Sequence, residues 1–225
     1  MSNTQKLQHI AFIMDGNRRW AKERMMPKAL GHSEGAKTLR KIAKAVRERG
    51  IPYMTVYALS TENLKRSQEE LDHLFSLFGK LVDEFDDLVK QDVRIKILGD
   101  MTRLPEDLAK KLKQLEENTK NNKTMTLSLA IAYGGRDEIV RAVREMDDPK
   151  NATEESLEAH LDMHDIPDVD VIVRTGGHHR LSNFLMWKSA YAELIFTNTY
   201  WPAFDKKELD EILAWYEEQM RNFGK

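Results

Sequence analysis

The amino-acid sequence contains no cysteine, which excludes disulfide bonds, thiolate metal ligands and thiol nucleophiles. It also lacks any apolar run near the roughly 18 residues that a membrane-spanning helix needs. Residues 1–8 are polar and have no apolar centre of the kind found in signal peptides, so we expect a cytoplasmic protein. Because no Pro/Gly-rich linker or low-complexity segment interrupts the chain, we expect one domain over residues 1–225.

An excess of charge of either sign is missing as well. The 35 Lys and Arg residues balance 37 Asp and Glu residues, which gives a formal net charge of −2. Such a chain has no global basic field, so we expect no nucleic-acid partner and look for local anion sites instead. With 225 residues and a 41% hydrophobic fraction, the chain can build one α/β domain with a large core.

Short apolar runs alternate with segments of helical periodicity along the whole chain. This alternation is typical of a mostly parallel sheet with helices on both faces. In such sheets, ligands bind beyond the carboxyl ends of the strands. The pattern predicts strands over 9–14, 53–59, 93–98, 125–132, 169–173 and 193–197, and helices over 34–49, 68–90, 105–119, 153–162, 182–189 and 205–222, with one more after Gly134 and Gly135.

The first strand runs into the polar segment Asp15-Gly16-Asn17-Arg18-Arg19-Trp20. A carboxylate at a strand tip suits a metal-bound acid, and a glycine beside arginines and a helix start suits a phosphate cradle. The alternative is a plain turn in which Asp15 or Asn17 caps the next helix. Because two arginines and a tryptophan exceed what a cap needs, we favour an anion site.

A second anion site is predicted at residues 174–183, Arg-Thr-Gly-Gly-His-His-Arg-Leu-Ser-Asn, which follow the strand over 169–173. Two arginines, two glycines, a serine hydroxyl and an expected helix start form a phosphate cradle without the Walker lysine pattern. Adjacent histidines point in different directions on most backbones. We therefore expect only one of His178 and His179 to act in the site.

Three further polar positions are ambiguous from their chemistry alone. The loop over 60–66 could equally be a solvated loop before a helix cap at Ser67, and His32 is more often a cap or surface residue. Glu193 enters an apolar strand, where a carboxylate is costly unless it is paired. One acid and two separate phosphate cradles suggest two phosphorylated ligands that meet at one metal ion.

At these residues the sequence resembles the cis-prenyltransferase family. The resemblance implies a homodimeric α/β fold with a six-stranded, mostly parallel sheet and Mg2+ as cofactor. It implies condensation of isopentenyl diphosphate onto an allylic diphosphate primer with formation of Z double bonds. The motifs that carry it, in the family's order and spacing, are HIAFIMDGNRRWAK (9–22), GHSEGAKTL (31–39), TVYALSTENLKR (55–66), LAIAYGGRDEIV (129–140) and VDVIVRTGGHHRLSNFLMWKSAYAELIFTNTYWPAF (169–204).

The resemblance also implies a product. We expect an undecaprenyl or similar polyprenyl diphosphate for the lipid carrier of cell-wall synthesis, with a short- or medium-chain product as the alternative. Because the product is a lipid, we expect transient contact with the membrane surface when it is released. Chain length, preferred primer and proton acceptor stay open. No residue is an obvious base; Asn17 or Ser60 can help through hydrogen bonds, and the diphosphate itself can accept the proton.

Individual positions take roles from the same resemblance. Asp15 and Asn63 become catalytic candidates, Asp15 and Glu193 become metal ligands, and His179 supports them. The isopentenyl diphosphate side is assigned to Arg174, Arg180 and Ser182. The allylic diphosphate side is assigned to Gly16, Asn17, Arg18, Arg19, Trp20, Lys28, His32, Ser60, Thr61, Glu62, Leu64 and Arg66.

Four positions depart from the family's pattern. Lys28 stands where arginine is frequent, which keeps the charge and loses the bidentate fork. Leu59 replaces a frequent phenylalanine, and Leu64 replaces a frequent tryptophan. The substrate-binding loop therefore has two fewer aromatic side chains than the family's pattern. His178 stands where glutamate is common. None of these changes removes a group that the chemistry needs.

Three rival classes fit less well. A trans-type prenyltransferase needs aspartate-rich motifs on an all-α fold, and the nearest stretch, residues 86–90, lacks the last aspartate. A haloacid-dehalogenase-like phosphatase needs a second acid where Asn17 stands. A non-catalytic partner subunit of a prenyltransferase should have lost its diphosphate ligands, whereas Asp15 and Arg174 are both present.

Overall fold

A computed structural model describes residues 6–219 of the chain. Residues 1–5 of the polar N-terminal segment and residues 220–222 of the predicted last helix lie outside this range. The neighbouring strands are all parallel, in the order β3-β4-β2-β1-β5-β6, so the predicted α/β fold with a six-stranded sheet is confirmed. The strands are β1 (His9–Ile13), β2 (Tyr53–Ser60), β3 (Val93–Leu98), β4 (Met125–Tyr133), β5 (Val171–Arg174) and β6 (Glu193–Phe196).

Helices connect and cover these strands. None of the helices within residues 6–219 combines the length and the apolar character that a membrane crossing requires. They are α1 (Asn17–Glu23), α2 (Lys28–Glu48), α3 (Gln68–Asp83), α4 (Asp86–Lys90), α5 (Glu106–Thr119), α6 (Gly135–Glu145), α7 (Glu154–Glu158) and α8 (Lys206–Glu218).

Helix α2 begins six residues before the predicted start at residue 34. Gly31 lies in this extension and disfavours helix, which is why the sequence pattern indicated a later start. A Cβ at Gly31 would lie 2.1 Å from the Asn17 carbonyl oxygen, and one at Gly35 would lie 2.3 Å from Asn17 Oδ1. The glycines therefore serve close packing of α2 against α1.

Two predicted helices are shorter than expected. The helix predicted over 68–90 ends at Asp83, and a second, short helix follows from Asp86. Phe85, between them, is fully buried, so the apolar periodicity continues although the helix does not. The helix predicted over 153–162 is the five-residue α7, followed by turns.

The helix predicted over 182–189 is wrong, because residues 182–191 form a series of turns. Ser182, Asn183 and Leu185 have positive φ values of 51°, 66° and 44°, which no right-handed helix contains. Phe184 and Leu185 are fully buried against the sheet. Burial of such side chains stabilises the fold by about 1.5–3 kcal/mol each, enough to hold an irregular backbone here.

The sheet has an apolar core on each face. On one face, side chains such as Phe12 and Val56 pack against residues of α2, α3, α5 and α8. On the other, residues such as Ile172 pack against the turn segment that contains Phe184. Because every strand is parallel and β1 lies between β2 and β5, the polar segments that follow these three strands meet at one edge of the sheet.

Candidate active site

A cavity of about 1370 Å³ opens at the carboxyl edge of the sheet. Its polar end lies at the segments that follow β1, β2 and β5, and its apolar end runs between α2 and α3, where Leu39, Leu74 and Leu81 line it. The predicted site residues that line this cavity are Asp15, Gly16, Asn17, Arg18, Arg19, Lys28, His32, Ser60, Glu62, Asn63, Arg66, Arg174, Arg180 and Ser182.

Asp15 lies between two arginines at the polar end. Its Oδ1 accepts hydrogen bonds from Arg19 Nη2 at 3.1 Å and the Gly16 amide at 2.6 Å, and its Oδ2 accepts one from Arg174 Nη2 at 3.0 Å. Burial raises the pKa of Asp15, but the hydrogen bond and charge of Arg174, with help from Arg19, outweigh it and hold the pKa below its usual value. Asp15 is therefore an ionised carboxylate that faces the cavity.

The interpretation of this segment as a plain helix cap is wrong for both candidate residues. The N-cap position of α1 is Gly16, with a φ of +104°, and no side chain accepts a capping hydrogen bond there. Asn17 donates from its amide to the Met14 carbonyl at 3.0 Å, while its Oδ1 is buried without a hydrogen-bond partner. Asn17 thus stabilises the turn through its hydrogen bond to Met14, and Asp15 caps no helix but lines the cavity.

Arg19 is held in place by neighbours on two sides. A Cβ at Gly176, whose φ is +82°, would lie 2.7 Å from Arg19 Nη2, so only glycine leaves room for the guanidinium beside Asp15. On the other side, the guanidinium lies over the ring of Tyr200, 5.2 Å from its centroid. The Tyr200 hydroxyl donates to Glu23 at 2.6 Å, which fixes the ring.

Arg174 anchors the second predicted cradle. Its side chain is only 5% exposed, and its Nη1 donates to Ser182 Oγ at 2.7 Å and to the Arg180 carbonyl oxygen. Its Nε is buried without a hydrogen-bond partner, while the Arg180 side chain is exposed and lines the cavity. Because Arg174 also binds Asp15, the two predicted cradles are parts of one continuous site.

The loop over 60–66 closes a third side. Ser60 Oγ accepts from the Asn63 amide at 3.1 Å, and residues 62–65 form a short 3-10 helix. Arg66 donates to Glu70 at 2.9 Å, and Arg18 lies 3.6 Å from the same carboxylate. Glu70 thereby holds two arginines of different segments at the mouth of the cavity.

His32 lies in the second turn of α2 and is neither a cap nor a surface residue. Its Nε2 is buried without a hydrogen-bond partner, which leaves a polar atom available to a ligand. Burial and, after it, the nearby positive charge of Arg66 lower the pKa of His32 to about 4. The imidazole is therefore neutral near pH 7.

Five predicted site residues do not line the cavity. Trp20 packs against the guanidinium of Arg24, 4.3 Å from the ring centroid, and His179 stacks on Phe196 with centroids 4.9 Å apart. The neighbouring His178 lines the cavity in place of His179. The residues of this group are Trp20, Thr61, Leu64, His179 and Glu193.

Glu193 lies at the start of a sheet strand, away from the carboxyl edge. It begins β6 and pairs with Val171, the first residue of β5, whereas Asp15 lies two residues beyond Ile13, the last residue of β1. Within one chain, Glu193 and Asp15 therefore lie toward opposite ends of the strands. Only Asp15 of the two predicted metal ligands lines the cavity of one chain.

The site fits Mg2+ when a diphosphate is bound with it. Within residues 6–219, no group of three or more His, Asp or Glu side chains could hold a metal ion by itself. Mg2+, however, is usually bound by one or two carboxylates together with substrate phosphates and water. Asp15 supplies one ionised oxygen ligand of this kind, next to arginines that can hold the phosphates.

Sequence reasoning missed the contribution of Tyr57. Its hydroxyl lies near the end of β2 and donates to the Tyr133 carbonyl at 3.2 Å and, more weakly, to the Ser182 carbonyl at 3.4 Å. Its ring stacks on Phe184 with centroids 4.5 Å apart. Alternation along the strand predicts that Tyr57 lies on the face opposite Val56. Its partners Phe184 and Ser182 could not be predicted, because they lie in the turns over 182–191 where the sequence pattern indicated a helix.

A parallel sheet that joins arginine-lined anion sites to a long apolar cavity defines an α/β enzyme for substrates with an anionic head and an apolar tail. Comparison with known proteins makes this class specific. The family described as "Putative undecaprenyl diphosphate synthase" matches residues 13–224. The chain belongs to this family of cis-prenyltransferases.

Relatives and solved structures agree over the whole chain. Isoprenyl transferases of Fusobacterium nucleatum and Thermotoga maritima are 47% and 44% identical, over 96% of this chain in each case and 95% and 96% of theirs. A lavandulyl diphosphate synthase from Lavandula x intermedia, solved with dimethylallyl diphosphate, has a TM-score of 0.91 at 33% identity over 98% of this chain and 99% of its own. A probable undecaprenyl diphosphate synthase from Campylobacter jejuni has a TM-score of 0.85 at 37% identity over 98% and 100%.

Proposed function

We propose that the protein is a Mg2+-dependent transferase that adds isopentenyl diphosphate units to an allylic diphosphate with Z double bonds. The observation that carries this proposal is the single cavity that joins the Asp15–Arg174 pair to an apolar channel between α2 and α3. Two diphosphates and one growing lipid need this combination of surfaces. The dimethylallyl diphosphate bound to the lavender enzyme supports an allylic primer.

The primer diphosphate binds at the segment after β1. Arg18 and Arg19 line the cavity there with Lys28 at the start of α2, and three cations can neutralise a diphosphate. His32, with its unpartnered Nε2, lies on the same wall and can contact a phosphate oxygen. The allylic tail then points into the apolar part of the cavity.

Isopentenyl diphosphate binds on the other side of Asp15. Arg174, Arg180 and Ser182 hold its diphosphate, because the Arg174 guanidinium and the Ser182 hydroxyl already form one unit. This arrangement orients the double bond of isopentenyl diphosphate toward the primer carbon, and such positioning lowers the barrier by removing orientational entropy beforehand.

Asp15 would hold Mg2+ together with the substrate phosphates. When bound, the metal supplies positive charge to the departing diphosphate. Arg19 and Arg174 lie beside Asp15 and stabilise the same developing negative charge while the allylic carbon becomes cationic. A Glu193 from a second copy of the chain is the proposed second carboxylate.

The proton that leaves after condensation passes toward the loop over 60–66 and the released diphosphate. Asn63 and Ser60 both line the cavity, and the Ser60 hydroxyl accepts a hydrogen bond from the backbone N–H of Asn63, which holds the two residues together. Asn17 is engaged with the Met14 carbonyl instead. We therefore propose that the released diphosphate accepts the proton and that the side chains of Asn63 and Ser60 orient it through hydrogen bonds.

The product is a long chain of the undecaprenyl type for the lipid carrier of cell-wall synthesis. The cavity volume of about 1370 Å³ exceeds the roughly 300–1,000 Å³ that is usual for pockets of small ligands. Ala58, Leu74, Phe78 and Leu81 line the apolar part. A short- or medium-chain product is the alternative, and it would leave much of this channel unfilled.

The active form is a homodimer in the cytoplasm, in contact with the membrane surface only when product leaves. Strand β6 is an edge strand, and exposed apolar side chains lie on β6, on α6 and on the turns over 182–191. An exposed apolar surface beside a sheet edge favours contact with a second copy of the chain. These side chains are Val140, Val143, Met186, Tyr191 and Leu194.

One incubation tests the chemistry. Purified protein is given radiolabelled isopentenyl diphosphate, Mg2+ and primers of several lengths, and the products are separated by chain length and examined for double-bond geometry. We expect long products with new Z bonds that disappear when the metal is chelated. Products with only E bonds, or no turnover with any primer, would overturn the proposal, and light scattering tests the dimer.

A further inference from the structure

Asn183, the residue directly after Ser182, contacts two other segments of the site. Its Oδ1 accepts from the Arg136 amide in the first turn of α6 at 2.9 Å, and its backbone carbonyl accepts from the Gly135 amide at 2.7 Å. Its Nδ2 donates to Glu62 Oε1, in the loop over 60–66, at 3.1 Å. One amide side chain therefore bridges α6 and the loop.

The surrounding backbone is built around this side chain. A Cβ at Gly134 would lie 2.7 Å from Asn183 Nδ2 and 2.6 Å from Thr61 Oγ1, so the three segments touch with no space for a further side chain. Asn183 has a φ of +66°, a conformation that asparagine tolerates better than most residues. The N-cap residue of α6 is Gly134, which has no side chain to accept a capping hydrogen bond. Asn183 Oδ1 accepts the hydrogen bond from the Arg136 backbone amide instead.

The bridge connects the two halves of the site. Ser182 accepts the hydrogen bond from Arg174 on one side of Asn183, and the Thr61 amide donates to the Tyr133 carbonyl at 2.9 Å on the other. An anion that draws Arg174 and Ser182 toward itself thus acts on a backbone that is tied to Glu62. Glu62 in turn belongs to the same loop as Asn63 and Arg66.

We propose that Asn183 is a positioning residue that couples occupancy of the Arg174–Arg180–Ser182 cradle to closure of the loop over 60–66. The proposal rests on the function proposed above, since it takes isopentenyl diphosphate as the anion in the cradle. The amide of Asn183 holds Glu62 against the cradle, so that Asn63 and Arg66 are in place when the second substrate is bound.

A swap of hydrogen-bond partners tests the bridge. Asn183→Asp keeps the acceptor for Arg136 and the tolerance of positive φ, but it places two carboxylates against each other. Adding Glu62→Gln restores one donor and one acceptor with their directions reversed. We expect Asn183→Asp to raise the KM for isopentenyl diphosphate by about fivefold or more, and the double variant to recover much of that loss relative to Glu62→Gln alone.

Tryptic cleavage after the exposed Lys65 reports loop opening without any turnover. In the parent, isopentenyl diphosphate should slow this cleavage, and in Asn183→Gly, which keeps the backbone conformation and removes the amide, the protection should be lost. Cleavage after Lys120, exposed at the end of α5, is the internal standard.

Asn151→Asp is the matched control. Asn151 also donates its amide to a carboxylate, Asp148, at 2.7 Å, but it lies in an exposed segment away from the cavity, so both readouts should match the parent. Unchanged KM in Asn183→Asp and unchanged protection in Asn183→Gly would overturn the coupling.

The proposed function and the bridge fail in different ways. A parent that shows neither turnover nor protection would refute the proposed function. Faster cleavage after Lys65 in the ligand-free variants than in the ligand-free parent would still support the hydrogen bond between Asn183 and Glu62.

Discussion

The carboxylate of Asp15 accepts a hydrogen bond from the guanidinium of Arg174 at 3.0 Å, across the boundary between β1 and β5. The other oxygen of Asp15 accepts from Arg19. Two anion sites that follow different strands therefore share one acid. Since each arginine can exchange part of its contact with Asp15 for a phosphate oxygen, both substrates can meet the same charge without a large rearrangement.

Removal of the Asp15 charge should abolish most of the activity. Asp15→Asn keeps the shape and an acceptor oxygen, so it isolates the electrostatic contribution. We expect turnover to fall roughly a hundredfold or more, since loss of a preorganised charge at a reacting centre costs on the order of 3 kcal/mol. Steady-state rates with both substrates saturating measure this effect.

Thermal melts of the Asp15 variants separate the loss of catalytic charge from the loss of the ion pair with Arg174. From the sequence, a strand-tip acid should contribute little to stability. The structure shows that Asp15 pairs with the buried Arg174, so Asp15→Ala should melt lower than Asp15→Asn because it leaves a buried guanidinium without its partner. If both variants melt like the parent and turn over within a fewfold of it, Asp15 has neither role.

Arg180 provides the cleaner test of the isopentenyl diphosphate site. Its side chain is exposed, whereas Arg174 also supports Asp15. We expect Arg180→Ala to raise the KM for isopentenyl diphosphate about tenfold or more with little change in the KM for the primer, and Arg174→Ala to lower kcat as well. A larger effect of Arg180→Ala on the primer would mean that the two substrate sites are exchanged.

The fold was predictable because its signals are local. Short apolar runs identified each strand, and parallel pairing then followed from the helical segments between them. The turns over 182–191 were not predictable in this way. Leu181, Phe184 and Leu185 have the i, i+3, i+4 spacing of a helix face, and only the positive φ values of Ser182 and Asn183 show that tertiary packing overrides it.

The site was predictable where polar residues follow a strand directly. Asp15 and Arg174 met this criterion, and the structure brings them into contact. Glu193 is the first residue of its strand, so the rule that ligands bind at carboxyl ends already argued against a place beside Asp15 in the same chain. Asn183 could not be identified as a positioning residue from its residue type or its neighbours in sequence. Its proposed role depends on contacts with Glu62 and Arg136, which are both more than forty residues away in the chain.

The apolar channel should set product length. Ala58→Leu and Leu74→Phe enlarge side chains that line it, so we expect shorter products that differ by whole isoprene units. Phe78→Ala removes a lining side chain and should lengthen the product. Chromatography of the chain-length distribution measures both shifts, and an unchanged distribution across the three variants would place the growing chain elsewhere.

Lys28 should weaken primer binding relative to an arginine at the same position. It begins α2, is exposed and lines the cavity beside Arg18 and Arg19. Because guanidinium can bind a phosphate through two parallel hydrogen bonds, Lys28→Arg should lower the KM for the allylic primer a fewfold, and Lys28→Met should raise it. The KM for isopentenyl diphosphate is the internal control, and equal changes in both would contradict the assignment.

The buried imidazole of His9 should make the fold sensitive to mild acid. Its Nδ1 donates to the Pro167 carbonyl at 2.9 Å and its Nε2 accepts from the Thr55 hydroxyl at 2.8 Å, an arrangement that needs the neutral ring. Burial lowers the pKa of His9 from 6.5 to about 4, so protonation favours the unfolded chain. The stability that this group contributes is complete above pH 6.5 and falls as the pH drops toward 4.

We expect the free energy of unfolding to decrease by about 2 kcal/mol from this group between pH 8 and pH 5. His9→Gln keeps a donor and an acceptor without titrating, so urea unfolding of this variant should depend less on pH over the same range, whatever its stability at pH 8. Burial raises the pKa of Asp165, but its ion pairs with Lys96 and Arg94 outweigh this and lower the pKa to about 2. The stability that Asp165 contributes is therefore lost only below about pH 4, outside the range over which His9 is tested. Parallel curves for the parent and His9→Gln between pH 8 and pH 5 would show that the fold does not lower the pKa of His9.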